Sequence, residues 1–253
     1  QIASSMDFVL ARFNTNGTLD NSFDGDGIVR TDINAGSKDQ LLSAVLLPSG
    51  KILVAGMGSE NVLVQYNTNG SLDPTFDGDG IFIITSPNNF TAADMLVQPD
   101  GKIVVAGEGA TYPPGYVLVR ILPQGGYDNS FDGDGISVLS LNGDYFTARA
   151  VTLQPADNKI LVTGTSADMF AQTQQVTTVR VNANGSIDNT FSGIGWISQE
   201  AGPETDEVFD IVVQPNGAIL VTGFGEDDGL SYAYTFALRY TAAGTPDNTF
   251  DTD

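Results

Sequence analysis

One eight-residue pattern returns five times along this chain and sets what it can fold into. It reads Asn16-Gly-Thr-Leu-Asp20-Asn-Ser-Phe23 and then Asn69-Gly-Ser-Leu-Asp73-Pro-Thr-Phe76. It returns as Gly125-Gly-Tyr-Asp128-Asn-Ser-Phe131, Asn184-Gly-Ser-Ile-Asp188-Asn-Thr-Phe191 and Ala243-Gly-Thr-Pro-Asp247-Asn-Thr-Phe250. The successive aspartates lie 53, 55, 60 and 59 residues apart, a period of about 57. A second pattern occurs four times, roughly midway between copies of the first. It runs from Leu47 to Gly56, Gln98 to Gly107, Gln154 to Gly164 and Gln214 to Gly223, each time Pro and a polar turn followed by an apolar run closed by Gly. Self-similarity at a fixed period marks a repeat architecture, in which each unit buries its apolar face against its neighbours.

Each unit reads as four strands. A short one follows the first pattern (27–32, 80–85), and an apolar one ends at Pro (41–47, 92–98). A Pro-x-Gly turn leads into the most apolar strand (51–55, 102–106), and a fourth (61–66, 116–121) runs to the next Asn-Gly turn. Pro presets φ and Gly accepts positive φ, the chemistry of an antiparallel hairpin turn. No window sustains an apolar period of 3.6, so few helices are expected. Four antiparallel strands per unit at blade length predict an all-β fold, a β-propeller of four-stranded blades forming one domain over 1–253. The units run approximately 14–66, 67–121, 122–181 and 182–240, with a terminal strand at 6–13. The segment from Met6 to Phe13 matches the fourth strand of the other units, so four whole units carry one surplus strand. It completes the blade at the other end, the arrangement we expect; otherwise the chain is an arc of a larger ring, or the surplus strand pairs with another molecule by strand addition.

The paired patterns resemble the delta-60 repeat, a β-propeller-like repeat of large secreted and surface-anchored bacterial proteins, over nearly the whole chain. The resemblance implies an extracellular or cell-surface location, a segment or subunit of a larger assembly, and no catalytic residues. Two copies depart from the pattern: Gly125-Gly-Tyr lacks its Leu, and Pro246 replaces it in the last.

Composition narrows the chemistry. The 253 residues include no His and no Cys, which excludes a Ser-His-Asp triad, a thiolate nucleophile and the usual zinc sites. With 31 acidic against 10 basic residues the net charge is −21, unsuited to nucleic acid or an anionic membrane surface. No stretch approaches the roughly 20 apolar residues of a membrane helix, so no membrane insertion is expected. The start at Gln1, without Met or a leader-like segment, suggests a processed product.

Three constellations are candidates for chemistry. Arg12, Arg120, Arg180 and Arg239 each precede the repeated aspartate by eight residues, with Gln65 in the second copy. Repetition in nearly every unit favours an architectural Arg–Asp pair over a ligand grip. The Asp-Gly-Asp-Gly loops present Asp24 and Asp26, Asp77 and Asp79, and Asp132 and Asp134, a calcium-like donor type. Two carboxylates fall short of the six to eight oxygens calcium takes, and the fourth copy, Ser192-Gly-Ile-Gly195, keeps only the glycines. Calcium is the one cofactor these loops suggest. The third is the irregular insertions: Ser166 to Gln175, and an acidic set with Glu200, Glu204, Asp206, Glu207, Glu226, Asp227 and Asp228 near Tyr232 and Tyr234. Paired carboxylates beside aromatics suit a sugar, yet nothing in the sequence sets two of them at a glycosidase separation. Trp196, in the place of Ile28, Ile81 and Ile136, is expected in the core. Asn16, Asn69, Asn89 and Asn184 fit an N-glycosylation acceptor pattern, three of them at the repeated turn.

Two functions follow. One is a non-enzymatic structural or adhesive propeller whose partners are other copies of itself or other surface proteins. The other is a glycan-binding or glycan-hydrolysing module using Glu226, Asp227, Asp228 and Tyr232, with or without calcium.

Overall fold

Strands made of Val, Ile, Leu and Thr, punctuated by Gly turns, build the entire architecture. The computed structural model describes residues 7–33, 38–85, 90–109, 115–141, 145–168, 173–202, 205–227 and 232–250. Among them are 17 strands and no helix, every pairing antiparallel.

Two compact units divide the chain. The first comprises 1–87 and 121–126. It holds a two-stranded sheet of β1 (Phe8–Ala11) and β2 (Ile28–Thr31), and a blade ordered β3 (Gln40–Leu46), β4 (Ile52–Met57), β5 (Asn61–Tyr66), β6 (Ile81–Ile84). The second comprises 88–120 and 127–253. Its first blade is β7 (Thr91–Val97), β8 (Ile103–Glu108), β9 (Tyr116–Ile121) and β10 (Ile136–Leu139). Its second is β11 (Tyr145–Gln154), β12 (Lys159–Asp168), β13 (Thr173–Val181) and β14 (Trp196–Gln199). A three-stranded sheet of β15 (Thr205–Val213), β16 (Ile219–Asp227) and β17 (Tyr232–Tyr240) follows. This is the expected β-propeller of four-stranded blades.

Blade phase differs from the repeat phase by one strand. The short strand after each Asp-x-x-Phe turn pairs with the strand before that turn, as in Val64↔Ile81 and Val179↔Trp196. The turn is therefore a connection inside a blade, between its third and fourth strands. The amino-terminal strand obeys the same rule. It pairs with β2 through Phe8↔Thr31 to Ala11↔Ile28, and among the described strands β17 pairs with β16 alone. The expected completion of the far blade by 6–13 is thus not the pairing found. A partner a short turn away costs less loop entropy than a distant one.

The second and third strands of the four-stranded blades are buried along most of both sides, which explains their nearly unbroken apolar runs. All of β5 and β9 is buried. One core cluster joins Val104, Leu118, Phe131, Tyr116, Phe146 and Val162, with Trp196 packed against it as expected. Tyr116 donates its hydroxyl hydrogen to the Thr177 carbonyl at 2.9 Å, which satisfies the buried phenol.

A β-bulge interrupts the first strand of every blade, at Leu42, Ala93, Arg149 and Phe209. The bulge brings a carbonyl of that strand against the Gly that closes the second pattern. A Cβ built on Gly107 or Gly164 would lie 2.0 Å from the carbonyl oxygen of Thr91 or Thr147, and one on Gly223 2.1 Å from that of Glu207. Close approach, not positive φ, fixes these glycines. Gly164→Ala is therefore expected to cost about 1–3 kcal/mol, the range for overpacking a rigid core. An unchanged urea midpoint in this variant would remove the close-approach argument.

Candidate functional site

The five Asp-x-x-Phe turns organise most of the paired charge in the molecule. In each, the aspartate takes the amide and the hydroxyl of the residue two positions on: Ser22, Thr75, Ser130, Thr190 or Thr249. Its other oxygen receives the arginine eight residues earlier. Nε of Arg12, Arg120, Arg180 and Arg239 lies 2.8, 2.8, 2.6 and 2.8 Å from Asp20, Asp128, Asp188 and Asp247. The same guanidinium covers the pattern Phe, 4.5–4.8 Å above the rings of Phe23, Phe131, Phe191 and Phe250.

A third arm leaves the turn. Nη1 of Arg12, Arg120 and Arg180 donates to the carbonyl of Thr68, Ala183 and Ala242, each in the turn of the next repeat. The residue after Phe adds a backbone bond to that turn: the amides of Asp24, Asp77, Asp132 and Ser192 reach the carbonyls of Asn69, Gln124, Asn184 and Ala243 at 2.7–2.8 Å. The Arg–Asp–Phe groups at Arg12, Arg120 and Arg180 are thus latches between successive repeats. Gln65 replaces Arg in the second copy and donates to Asp73 at 2.6 Å, where Lys51 also lies at 2.6 Å. Lys102 and Lys159 take the same place beside Asp128 and Asp188. This lysine comes from the second pattern, a link its distance in sequence concealed.

Burial alone would raise these carboxyls. Instead the hydroxyl, amide and cationic partners pull Asp128 down to about 2 and hold Asp73 and Asp188 well below the usual carboxylate range. A carboxyl depressed by folding stabilises the fold above its unfolded pKa, and that contribution disappears as pH falls through the folded value. An aspartate free of these partners titrates near 3.8. Thermal stability should therefore hold to about pH 5 and fall steeply from about pH 4 towards pH 2. A melting temperature flat down to pH 2 would contradict the latch.

The six aspartates of the Asp-Gly-Asp-Gly loops take two conformational tasks. Asp24, Asp77 and Asp132 occupy the left-handed region at φ of 51, 49 and 51°, and Ser192 takes the same conformation at 51°. Asp26, Asp79 and Asp134 accept the amides of Ile28, Ile81 and Ile136. No third acidic side chain joins them among the described residues. The one acidic trio found among those residues lies elsewhere, with Asp7, Asp32 and Asp39 within 4.8 Å of one another. The three acceptor asparagines in the repeated turn are similarly engaged: Asn16, Asn69 and Asn184 each hold the amide and hydroxyl of the residue two positions on. Asn89 lies outside the described residues.

The acidic insertion is split. Asp228 and Glu204 lie outside the described residues, and Asp227 and Tyr232 are opposite one another in the β16–β17 register. Glu226 is exposed, opposite Thr205 and Ala233. Asp206 is fully buried and structural: it takes the Ala201 amide at 2.8 Å and the Tyr234 hydroxyl at 3.2 Å. Burial raises its pKa against those bonds. The bulge residues near it, Arg149 and Phe209, carry no motif, and of the pocket they adjoin only Glu207 is in the acidic set read from the sequence. Thr147, Arg149, Thr165, Ala167, Gln174 and Glu207 line a polar pocket of about 180 Å³. Arg149 and Glu207 are both exposed there. Glu207 stands opposite Phe224 in the β15–β16 register, and Phe224 stacks on the exposed Phe209 at 6.4 Å and 11°.

With its recurring charges holding its blades together, the protein is a β-propeller built on latched turns. Residues 1–23, 47–76, 98–131 and 156–191 match a β-propeller domain family of unknown function (DUF5122). No curated protein matches the chain significantly. Among solved structures, it resembles a protein of unknown function from Bacteroides caccae at 14% identity and a TM-score of 0.52, covering 94% of this chain and 75% of that one. A polysaccharide lyase of family PL25, an ulvan lyase, matches at 11% identity and 0.54, covering 89% of this chain and 58% of the lyase. An endo-arabinase from Bacteroides thetaiotaomicron matches at 8% and 0.50, covering 80% and 75%. At these identities the likeness is one of fold.

The latch makes a direct test. Asp188 and Arg180 are 4% and 6% exposed, and Asp188→Ala leaves the buried Arg180 without its anion, a loss of about 3–5 kcal/mol. Arg180→Gln recreates the Gln–Lys–Asp group of the second repeat and should cost about 1–2 kcal/mol, the scale of lost charge-assisted bonds. Equal, negligible shifts in chemical denaturation would return Arg180 to the set of candidate ligand groups.

Proposed function

We propose that this chain is a non-enzymatic structural β-propeller element of a bacterial surface or secreted assembly. One observation carries the reading: the charged group that recurs through the molecule is bound to its own turn and, at Arg12, Arg120 and Arg180, to the next repeat. An active site needs groups whose protons or lone pairs are open to a substrate. The latch carboxylates are held ionised by partners on both oxygens. The extracellular setting follows from the delta-60 resemblance. Strong negative charge keeps such a repeat soluble and separates it from other acidic chains.

A second reading attaches to the pocket at the β11 and β15 bulges. Arg149 and Glu207 there offer a donor and an acceptor of opposite charge, and the Phe209–Phe224 pair offers an aromatic face. Neutral saccharides are held by such combinations of planar polar groups and aromatic surface. The polysaccharide-active enzymes that share the fold support a glycan partner for this reading. It also moves the glycan site away from Glu226, Asp227, Asp228 and Tyr232. Glycan-array binding that Arg149→Ala and Phe209→Ala abolish, and Glu226→Gln leaves intact, is the expected result. An array without hits leaves the structural role alone, and loss through Glu226→Gln instead would restore the acidic insertion as the binding site.

A further inference from the structure

Two glutamines open successive copies of the second pattern, and the fold uses them differently. Gln154 is bonded at both ends of its amide: Oε1 accepts Nη1 of Arg180 at 3.1 Å, and Nε2 donates to the Ala242 carbonyl at 3.1 Å. Gln98, its counterpart one copy earlier, is 8% exposed, and its Oε1 is fully buried with no hydrogen-bond partner among the described residues. The neighbouring Arg120 spends its nitrogens on Asp128, Ala183 and Ser130. A buried acceptor without a donor carries a desolvation cost that a bonded one does not. Gln98 bears that cost where Gln154 does not.

Gln98 lines a cavity of about 410 Å³, within the size range of small-ligand clefts. The cavity lies wholly within the second compact unit, between the β7–β8 turn and the β11–β12 turn. Asp157 and Asn158 on its wall belong to the one Pro turn of the four that carries an inserted residue. Variation of a loop at one place in a repeat is where individual binding arises. The terminal torsion of a glutamine is broad, so a small rotation turns either end of the Gln98 amide to the cavity.

The lining sets the class of ligand. Lys102 Nζ lies 3.4 Å from Asp100 and 3.2 Å from Asp128, Arg120 is held by Asp128 at 2.8 Å, and Asp157 lies 3.5 Å from Lys159. Every charge on the wall already stands against one of opposite sign, so a charged ligand would have to break an ion pair. A neutral ligand rich in hydroxyls would not. Adjacent sugar hydroxyls, each a donor and an acceptor, match the carbonyl and amino group of one carboxamide.

We propose that this cavity binds a neutral sugar, with Gln98 and Asn158 supplying amide contacts and the partly exposed carboxylates of Asp100 and Asp157 accepting further hydroxyls. The site shares no residue with the pocket at the bulges. It stands whether or not the structural reading above does.

Saturation-transfer NMR on the whole chain in solution tests it, with D-glucose, D-galactose and D-mannose as probes. At least one sugar should take up saturation from the protein. Gln98→Leu gives the site the residue that the first copy carries at Leu47. It should weaken binding about tenfold, the equivalent of two neutral hydrogen bonds, with a melting temperature that holds or rises. Asn158→Gly keeps the positive φ, as Gly50, Gly101 and Gly217 do in the other copies, and should weaken binding about fivefold. Gln154→Leu should instead lower the melting temperature and leave the sugar signal in place. Equal signals from the methyl glycosides assign the site to a sugar within a glycan, and their loss assigns it to a free sugar. No signal from any of the three sugars, or a signal that Gln98→Leu leaves intact, overturns the proposal. So does a melting temperature that falls in Gln98→Leu as in Gln154→Leu, because Gln98 would then be a structural bond. A signal that Arg149→Ala removes and Gln98→Leu does not belongs to the bulge pocket, and this site fails while that one stands.

Discussion

The structure depends on a guanidinium that does four things at once. In the interior repeats one arginine neutralises the turn aspartate, bonds a hydroxyl, covers a phenylalanine and reaches the main chain of the following repeat. Arg suits this because its donors are fixed in a plane, so bonds along its edges leave its face free for the ring. The aspartate in turn shapes the backbone that delivers the fourth strand. Strand pairing within a blade and stacking between successive repeats are thereby coupled through one side chain. Four of the chain's ten basic residues serve this purpose, and Lys51, Lys102 and Lys159 reinforce it from the second pattern.

Coupling of this kind makes stability a sum over neighbours, as in other repeat proteins. An interior repeat has its Phe sealed and its turn glycine covered by the neighbouring turn. The glycan reading uses a different part of the molecule, the bulges of β11 and β15, where the repeat is free to vary. Leu42, Ala93, Arg149 and Phe209 share one structural place and no chemistry.

Much of the fold was legible because its determinants are local. The Pro-x-Gly turns, the Asn-Gly turns and the Arg–Asp spacing of eight each act over fewer than a dozen residues, and the strands between them needed only an apolar count. Where the third copy inserts a residue, Asn158 supplies the positive φ that Gly50, Gly101 and Gly217 provide elsewhere. Blade phase was less legible, since a short strand flanked by two connections can join either neighbour. The place two residues before the one paired with the second-pattern Gly was also hidden. Phe90 and Phe146 fill it with a ring, whereas Asp39 and Asp206 fill it with a carboxylate that holds the amides of Ile33 and Ala201. A buried ring and a buried, bonded carboxylate satisfy one site by unrelated means, so no pattern of residue types reveals it.

The sequence by itself determined the repeat, the four-stranded blade, the turn chemistry and the absence of His- and Cys-based catalysis, because each follows from residue identity and short-range backbone preference. Only the tertiary structure decided which strand closes each blade, that the arginine reaches beyond its own turn, and that the loop aspartates serve the backbone. It also decided that Lys51, Lys102 and Lys159 of the second pattern meet the aspartates of the first. Those are matters of what lies across a gap from a side chain, and contacts between residues distant in sequence are set by packing.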